Sequence, residues 1–172
     1  MRPNTSPLKP SDIRNLFIHQ LNRINCTKGY LNRNLPALEE IASFKNMKLA
    51  IQENIDDVKN QQLRIDKMYS MLGAKASDEG CEVIKAVLEE AFKLGQNQGK
   101  LAMVTDIDII LYMQLIQNIE LTSFRMLKLI ARYMGDERIE QMVKECSDEN
   151  MDNDELFTLI CAEYLAEKAN AA

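Results

Sequence analysis

Tryptophan is absent from the 172 residues, histidine occurs once, and aromatic residues make up only 6% of the chain. A single imidazole, His19, leaves little for the metal centres that rely on histidine, and no histidine stands at zinc-finger spacing from a cysteine. Breakers of helices are scarce as well: there are six glycines and four prolines, three of the prolines within the first ten residues. A body so free of interruption reads as all-α. The four cysteines, Cys26, Cys81, Cys146 and Cys161, lie far apart with no CxxC pair, which argues against a disulfide framework and predicts free thiols in a reducing cytoplasm. No run of about 18 apolar residues exists, and the polar start MRPNTSPLKP has no secretion-signal core, so a soluble cytoplasmic protein is expected. Basic stripes are missing, and the net charge of −5 with interspersed signs speaks against nucleic acid or anionic membrane as partners. Neither a phosphate-binding glycine loop nor an HExxH motif nor a nucleophile elbow occurs, so no catalytic residue and no cofactor are expected.

What the chain does contain is a set of long amphipathic stretches. The clearest seam is Phe17, Leu21, Ile24, Lys28, Leu31, Leu35 and Leu38, whose spacings of three and four place all members on one side of a helix. Met47, Ile51, Asn54, Val58, Gln61, Ile65, Met68 and Leu72 repeat the pattern, as do Ile109, Met113, Ile116, Glu120, Ser123, Leu127, Ile130 and Met134. A weaker seam runs through Ile139, Val143, Cys146, Asn150, Asn153, Phe157 and Ile160. The Met-rich positions read as core filling. Each seam is interrupted by polar residues near its midpoint, and in a bundle these interruptions form a layer across the core, where helical bundles build metal and cofactor sites.

The expected organisation is one domain over residues 11 to 168, with a disordered tail at 1 to 10 and a frayed end at 169 to 172. Ser11 and Asp12 open a first helix that runs to about Ala42, with a kink before Pro36. A second helix, about 45 to 72, stops at Gly73. The stretch 74 to 100 is a long crossover holding a short helix at about 79 to 95, with Cys81, Ile84, Leu88 and Ala91 on one face, and then the loop GQNQGK. A third long helix covers about 102 to 134 and stops at Gly135, and a fourth covers about 136 to 168, with a possible break at SDENMDND.

Projecting the third long helix puts Gln114, Asn118, Arg125 and Arg132 on a solvated face and turns Glu120 inward, among Met113, Ile116, Phe124 and Leu127. Gln117 lies at the edge of that inner face. A buried carboxylate needs a cation, a proton or strong hydrogen bonds. Lys28 supplies a cation. Asn54 and Gln61 sit in the apolar face of the second helix with Asp57 at its margin, and Glu149 or Asn150 is the inward residue expected from the last helix. Two readings of this layer follow. In one, Asp57, Glu120 and Glu149 hold iron or manganese in a di-metal carboxylate site, although Lys28 would repel a cation there. In the other, Lys28, Asn54, Asp57, Gln61, Gln117 and Glu120 form a buried polar network that fixes helix register, with no metal bound. His19 projects away from Lys28 and belongs to neither.

The segments LFIHQLNRINCTKGYLNRNLPAL (16 to 38), NIDDVKNQQLRID (54 to 66), GCEVIKAVLEEAF (80 to 92) and QNIELTSFRMLK (117 to 128) occur in the same order in the YciE/YciF family of bacterial ferritin-like proteins, which the chain resembles over nearly all of 12 to 168. The resemblance implies a ferritin-like antiparallel four-helix bundle with one long crossover containing an extra short helix, a homodimer, and a link to stress responses without an established reaction. In that family, Glu is common where this chain has Lys28, His-x-x-Glu where it has Asn54 and Asp57, and Glu-His-x-Glu where it has Gln117, Asn118 and Glu120. The family's last acidic run corresponds to Asp148, Glu149 and Asn150, followed by Asp154. The resemblance thus implies a scaffold kept while most ligands became Lys, Asn or Gln, leaving a structural or binding protein as the first expectation and a divergent metal-dependent oxidoreductase or iron-handling protein as the second.

Overall fold

The structure, a computed structural model, describes residues 7–93 and 102–170. Among them lie five helices and no strand: α1 (Pro10–Ile41), α2 (Lys45–Leu72), α3 (Glu82–Phe92), α4 (Ala102–Met134) and α5 (Glu137–Asn170). The first begins one residue earlier than Ser11 because Pro10 fits the first helical turn, where no backbone donor is needed. Asp12 works at its third position, accepting the Lys9 backbone N–H at 3.0 Å. Pro36 lies inside α1, and the helix continues through it to Ile41. Gly73 closes α2 at φ 57°, a left-handed conformation that side chains other than glycine resist, and Ala74 N–H returns to the Tyr69 carbonyl at 3.0 Å. Between α4 and α5, Gly135 has φ 72° and Asp136 caps α5, accepting the N–H groups of Arg138 and Ile139.

The last helix is unbroken through SDENMDND. Its polar run keeps helical spacing: Ser147, Asn150 and Asn153 turn inward between Cys146 and Phe157, while Lys144 and Asp148 pair on the outside at 2.7 Å. The tail at residues 1–6, the whole of the loop GQNQGK and the end at 171–172 lie outside the described residues, as do the side chains of Ile84 and Ala91.

Short connections make α1 and α2 neighbours, and likewise α4 and α5; α1 also packs on α4, and α2 on α5. Phe44, at the start of α2, meets Tyr164 near the end of α5 edge to face, with centroids 5.2 Å apart, so this pair is antiparallel. Ser43, at the end of α1, donates its backbone N–H to Asp106 Oδ1 at 2.8 Å and its hydroxyl to Asp106 Oδ2, which makes α1 and α4 antiparallel too. The diagonal helices α2 and α4 then run the same way. Only a connection as long as the bundle permits that, and α3 rides in it against α1. The fold is therefore a ferritin-like antiparallel four-helix bundle with one crossover.

The seams meet in two separate hydrophobic clusters. One, toward the α1–α2 turn, contains Leu31, Leu35, Met47, Ile51, Val58, Ile109, Met113 and Phe157. The other, toward the α4–α5 turn, contains Phe17, Leu21, Ile24, Ile65, Phe124, Leu127, Val143 and Cys146. Each fully buried Leu, Ile or Phe contributes roughly 1.5–3 kcal/mol of burial free energy. Between the clusters lie Lys28, Gln61, Gln117, Glu120, Asn150 and Asn153, all buried.

Candidate functional site: the buried polar layer

Lys28 comes from α1 and Glu120 from α4, and both side chains are 1% exposed with Lys28 Nζ 2.6 Å from Glu120 Oε1. The ammonium also sits over the Phe124 ring, 5.7 Å from its centroid. From the other oxygen of Glu120 a chain of hydrogen bonds crosses the bundle. Asn150 Nδ2 donates to Glu120 Oε2 at 2.9 Å, and Gln61 Nε2 donates to Asn150 Oδ1 at 2.9 Å and Glu149 Oε2 at 3.0 Å. Arg64 then clamps Glu149 with two nitrogens, at 2.8 and 2.7 Å, and reaches Glu145 at 3.2 Å. A single polar path thus runs from the buried ammonium through α4, α5 and α2 to the surface.

Asp57 lies off this path. Its carboxylate accepts a 2.8 Å hydrogen bond from Asn153 Nδ2 and makes no ion pair with Lys28. Burial raises its pKa most, Glu149 adds to the rise, and the Asn153 hydrogen bond opposes it. Asn54 and Gln117 are buried as well, yet Asn54 Oδ1 and both amide atoms of Gln117 have no hydrogen-bond partner among the described residues. The same holds for Gln61 Oε1, and the 2.6 Å contact of Lys28 with Glu120 lacks hydrogen-bond angles at either atom. Of the two inward candidates on α5, Asn150 is fully buried and Glu149 is a quarter exposed. Cys146, buried beside them, has its thiol pushed up to about 11 by desolvation. His19 lies away from the layer, next to Gly80.

Asp57, Glu120 and Glu149 do not gather around one point. Among the described residues, the side chains placed within metal-ligand reach of one another are instead Cys26, Asp78 and Cys81. A di-metal centre needs several anionic oxygens converging from four helices, whereas a cation beside Glu120 would meet the Lys28 ammonium and the neutral amides of Asn54, Gln61, Gln117 and Asn150. These residues do not fit such a centre.

Spacing could not reveal the cysteine pair. Cys26 of α1 and Cys81, just before α3, form a disulfide across 55 residues, with Cα atoms 6.0 Å apart. Free thiols were expected at both positions. The pair forms instead because the crossover folds back on α1: Arg23 Nε donates to the Gly80 carbonyl, and Asn22, which also accepts from the Tyr69 hydroxyl of α2, accepts the Ser77 N–H. Cys146 and Cys161 are free.

The family model described as a domain of unknown function, DUF892, matches residues 12–170. Protein YciF of Escherichia coli K12 is 24% identical over 158 residues, 91% of this chain and 95% of that one. The crystal structure of the E. coli stress protein YciF superposes with a TM-score of 0.83 at 22% identity, covering 90% of this chain and 97% of the other. YcfI of Rhodopseudomonas palustris gives 0.78 at 20% identity, over 90% and 96%. With all but its first eleven and last two residues matched by the family model, and its fold shared with these proteins over 90% of its length, the chain belongs to the DUF892 family, that of YciF.

Proposed function

We propose that this protein is a stress-associated structural or binding protein in which an ancestral di-metal site has been largely lost and replaced by a polar network centred on Lys28. One observation carries the reading: a lysine ammonium lies 2.6 Å from the buried carboxylate of Glu120, where a metal ion would otherwise supply the positive charge. The association with stress comes from the relative, the E. coli stress protein YciF. No catalytic role is assigned to any residue of the layer. In the same reading the protein is a homodimer. Leu111, Leu115, Met126, Leu129 and Tyr133 lie exposed on one face of α4, with Asn118 and Thr122 between them, at spacings of three and four. A second copy laying the same stripe across a two-fold axis buries both.

Anaerobic titration of the purified chain with ferrous iron and manganese, followed by element analysis after desalting, tests the central claim. Less than a tenth of an equivalent, roughly, is expected to remain. Near-stoichiometric metal, lost in Asp57→Asn or Glu149→Gln, would instead establish a divergent iron- or manganese-dependent protein using Asp57, Glu120 and Glu149.

A further inference from the structure

The disulfide borders a cleft of about 350 Å³ between α1 and the crossover, lined among others by Cys26, Gly29, Arg33, Asp78, Glu82 and Lys85. The volume is that of a small-molecule site. Gly29 stands in the middle of α1, where glycine costs about 1 kcal/mol relative to alanine. Packing does not require it, because a Cβ there would meet only the Arg33 guanidinium, at 3.7 Å. What the missing side chain leaves is open space in the wall beside Cys26. Both signs of charge rim this space: Arg33 and Lys85, against Asp78 and Glu82, all exposed. Lys85 keeps Glu89 only at 3.8 Å, and Asp78 Oδ1 is 3.9 Å from Cys26 Sγ. The two sulfurs are unequal. Cys26 is half-buried at the cleft, while Cys81 is 7% exposed and stands at the N-terminus of α3, its carbonyl accepting the Lys85 N–H at 2.9 Å.

We infer that this cleft is a thiol–disulfide exchange site at which a small zwitterionic thiol of the peptide or amino-acid class attacks Cys26. Arg33 and Lys85 take its carboxylates, and Asp78 and Glu82 its ammonium. The incoming thiolate forms a bond to Cys26 Sγ; the Cys26–Cys81 bond breaks, and its electron pair stays on Cys81 Sγ, where the positive end of α3 favours a thiolate. A second thiolate attacks the external sulfur of the mixed disulfide, releasing Cys26 as a thiolate and the small molecule as its own disulfide. The protein gains two electrons and two small thiols lose them.

The test uses the full oxidised chain with reduced glutathione as probe, quenched in acid and mapped by mass spectrometry. A transient adduct on Cys26 with Cys81 free is expected. Gly29→Met, which fills the cleft, should slow adduct formation about ten-fold. Its thermal melting, followed by circular dichroism, shows whether the fold is retained; Gly29→Leu serves if it is not. Arg33→Gln and Lys85→Gln should each slow the reaction with glutathione about two- to five-fold and leave that with uncharged 2-mercaptoethanol unchanged. An adduct on Cys81, reduction that requires denaturant, or a folded cleft-filling variant reacting at the unaltered rate overturns the site. Equal effects of the charge variants on both thiols overturn the zwitterionic ligand.

Discussion

Lys28 concentrates the energetics of the layer, because its ammonium and the Glu120 carboxylate are both removed from water and have each other as charge partner. Truncating one partner strands the other. Lys28→Ala is expected to cost about 3–5 kcal/mol in urea unfolding, whereas Lys28→Met combined with Glu120→Gln, which keeps an acceptor for Asn150, should recover most of that loss. A Lys28→Ala variant of unaltered stability would mean that the lysine reaches solvent. Asp57 gives a test with the opposite chemistry. Its pKa is raised in the folded protein, so its contribution to stability is fully present below the unfolded value and is lost as pH rises through the folded one. Asp57→Asn keeps an acceptor for Asn153 but has no charge to bury. Its stability relative to the parent should therefore increase in urea titrations as pH rises from below the ordinary aspartate range through the raised pKa of Asp57, and a difference that does not change with pH would refute the assignment. Glu120 was legible in the sequence because a carboxylate at core spacing stands out against Met113, Ile116 and Leu127. Asp106 was not: it sits near the start of α4, where its partners come from the α1–α2 turn, 63 positions away. The role of Arg64 leaves no local pattern either, since its partners lie on another helix.

At the level of elements, periodicity defined every helix to within a few residues, because apolar positions at three and four spacing force one face inward whatever the partner. The suspected break in α5 shows the limit of composition. Seven polar residues out of eight, interrupted only by Met151, look like a loop until the layer supplies partners for Asn150 and Asn153. The crossover was recognisable by length, but its attachment to α1 was not, since a covalent bond between distant cysteines leaves no local pattern. That bond closes a loop of 55 residues, and by chain entropy its removal should cost up to about 4 kcal/mol. Cys26→Ser is therefore expected to unfold at lower urea than the parent in non-reducing buffer and to match it in excess dithiothreitol. Equal midpoints in the absence of reductant would show that the bond is not formed.

For the molecule as a whole, the exposed stripe of α4 is the feature that a single bundle leaves unexplained. An exposed leucine is ordinary; five large apolar side chains on one face of one helix are not. Leu115→Lys together with Met126→Lys is expected to turn a dimer into a monomer in sedimentation velocity while leaving the helical circular dichroism intact. A monomeric parent would remove the proposal. Nothing in the sequence pattern distinguished this face from the solvated one beside it, because the projection of α4 sets Asn118 and Arg125 next to Leu115 and Met126.

The separation of the core into two clusters has a consequence for how this protein can change. A substitution that swells or shrinks the cluster around Phe17 and Leu127 meets the polar layer before it meets the cluster around Met47 and Phe157. Volume changes in the two compartments should then combine additively, as they do for sites without shared neighbours. Each half of the bundle is free to drift in sequence at its own pace, while the residues that divide them must change together.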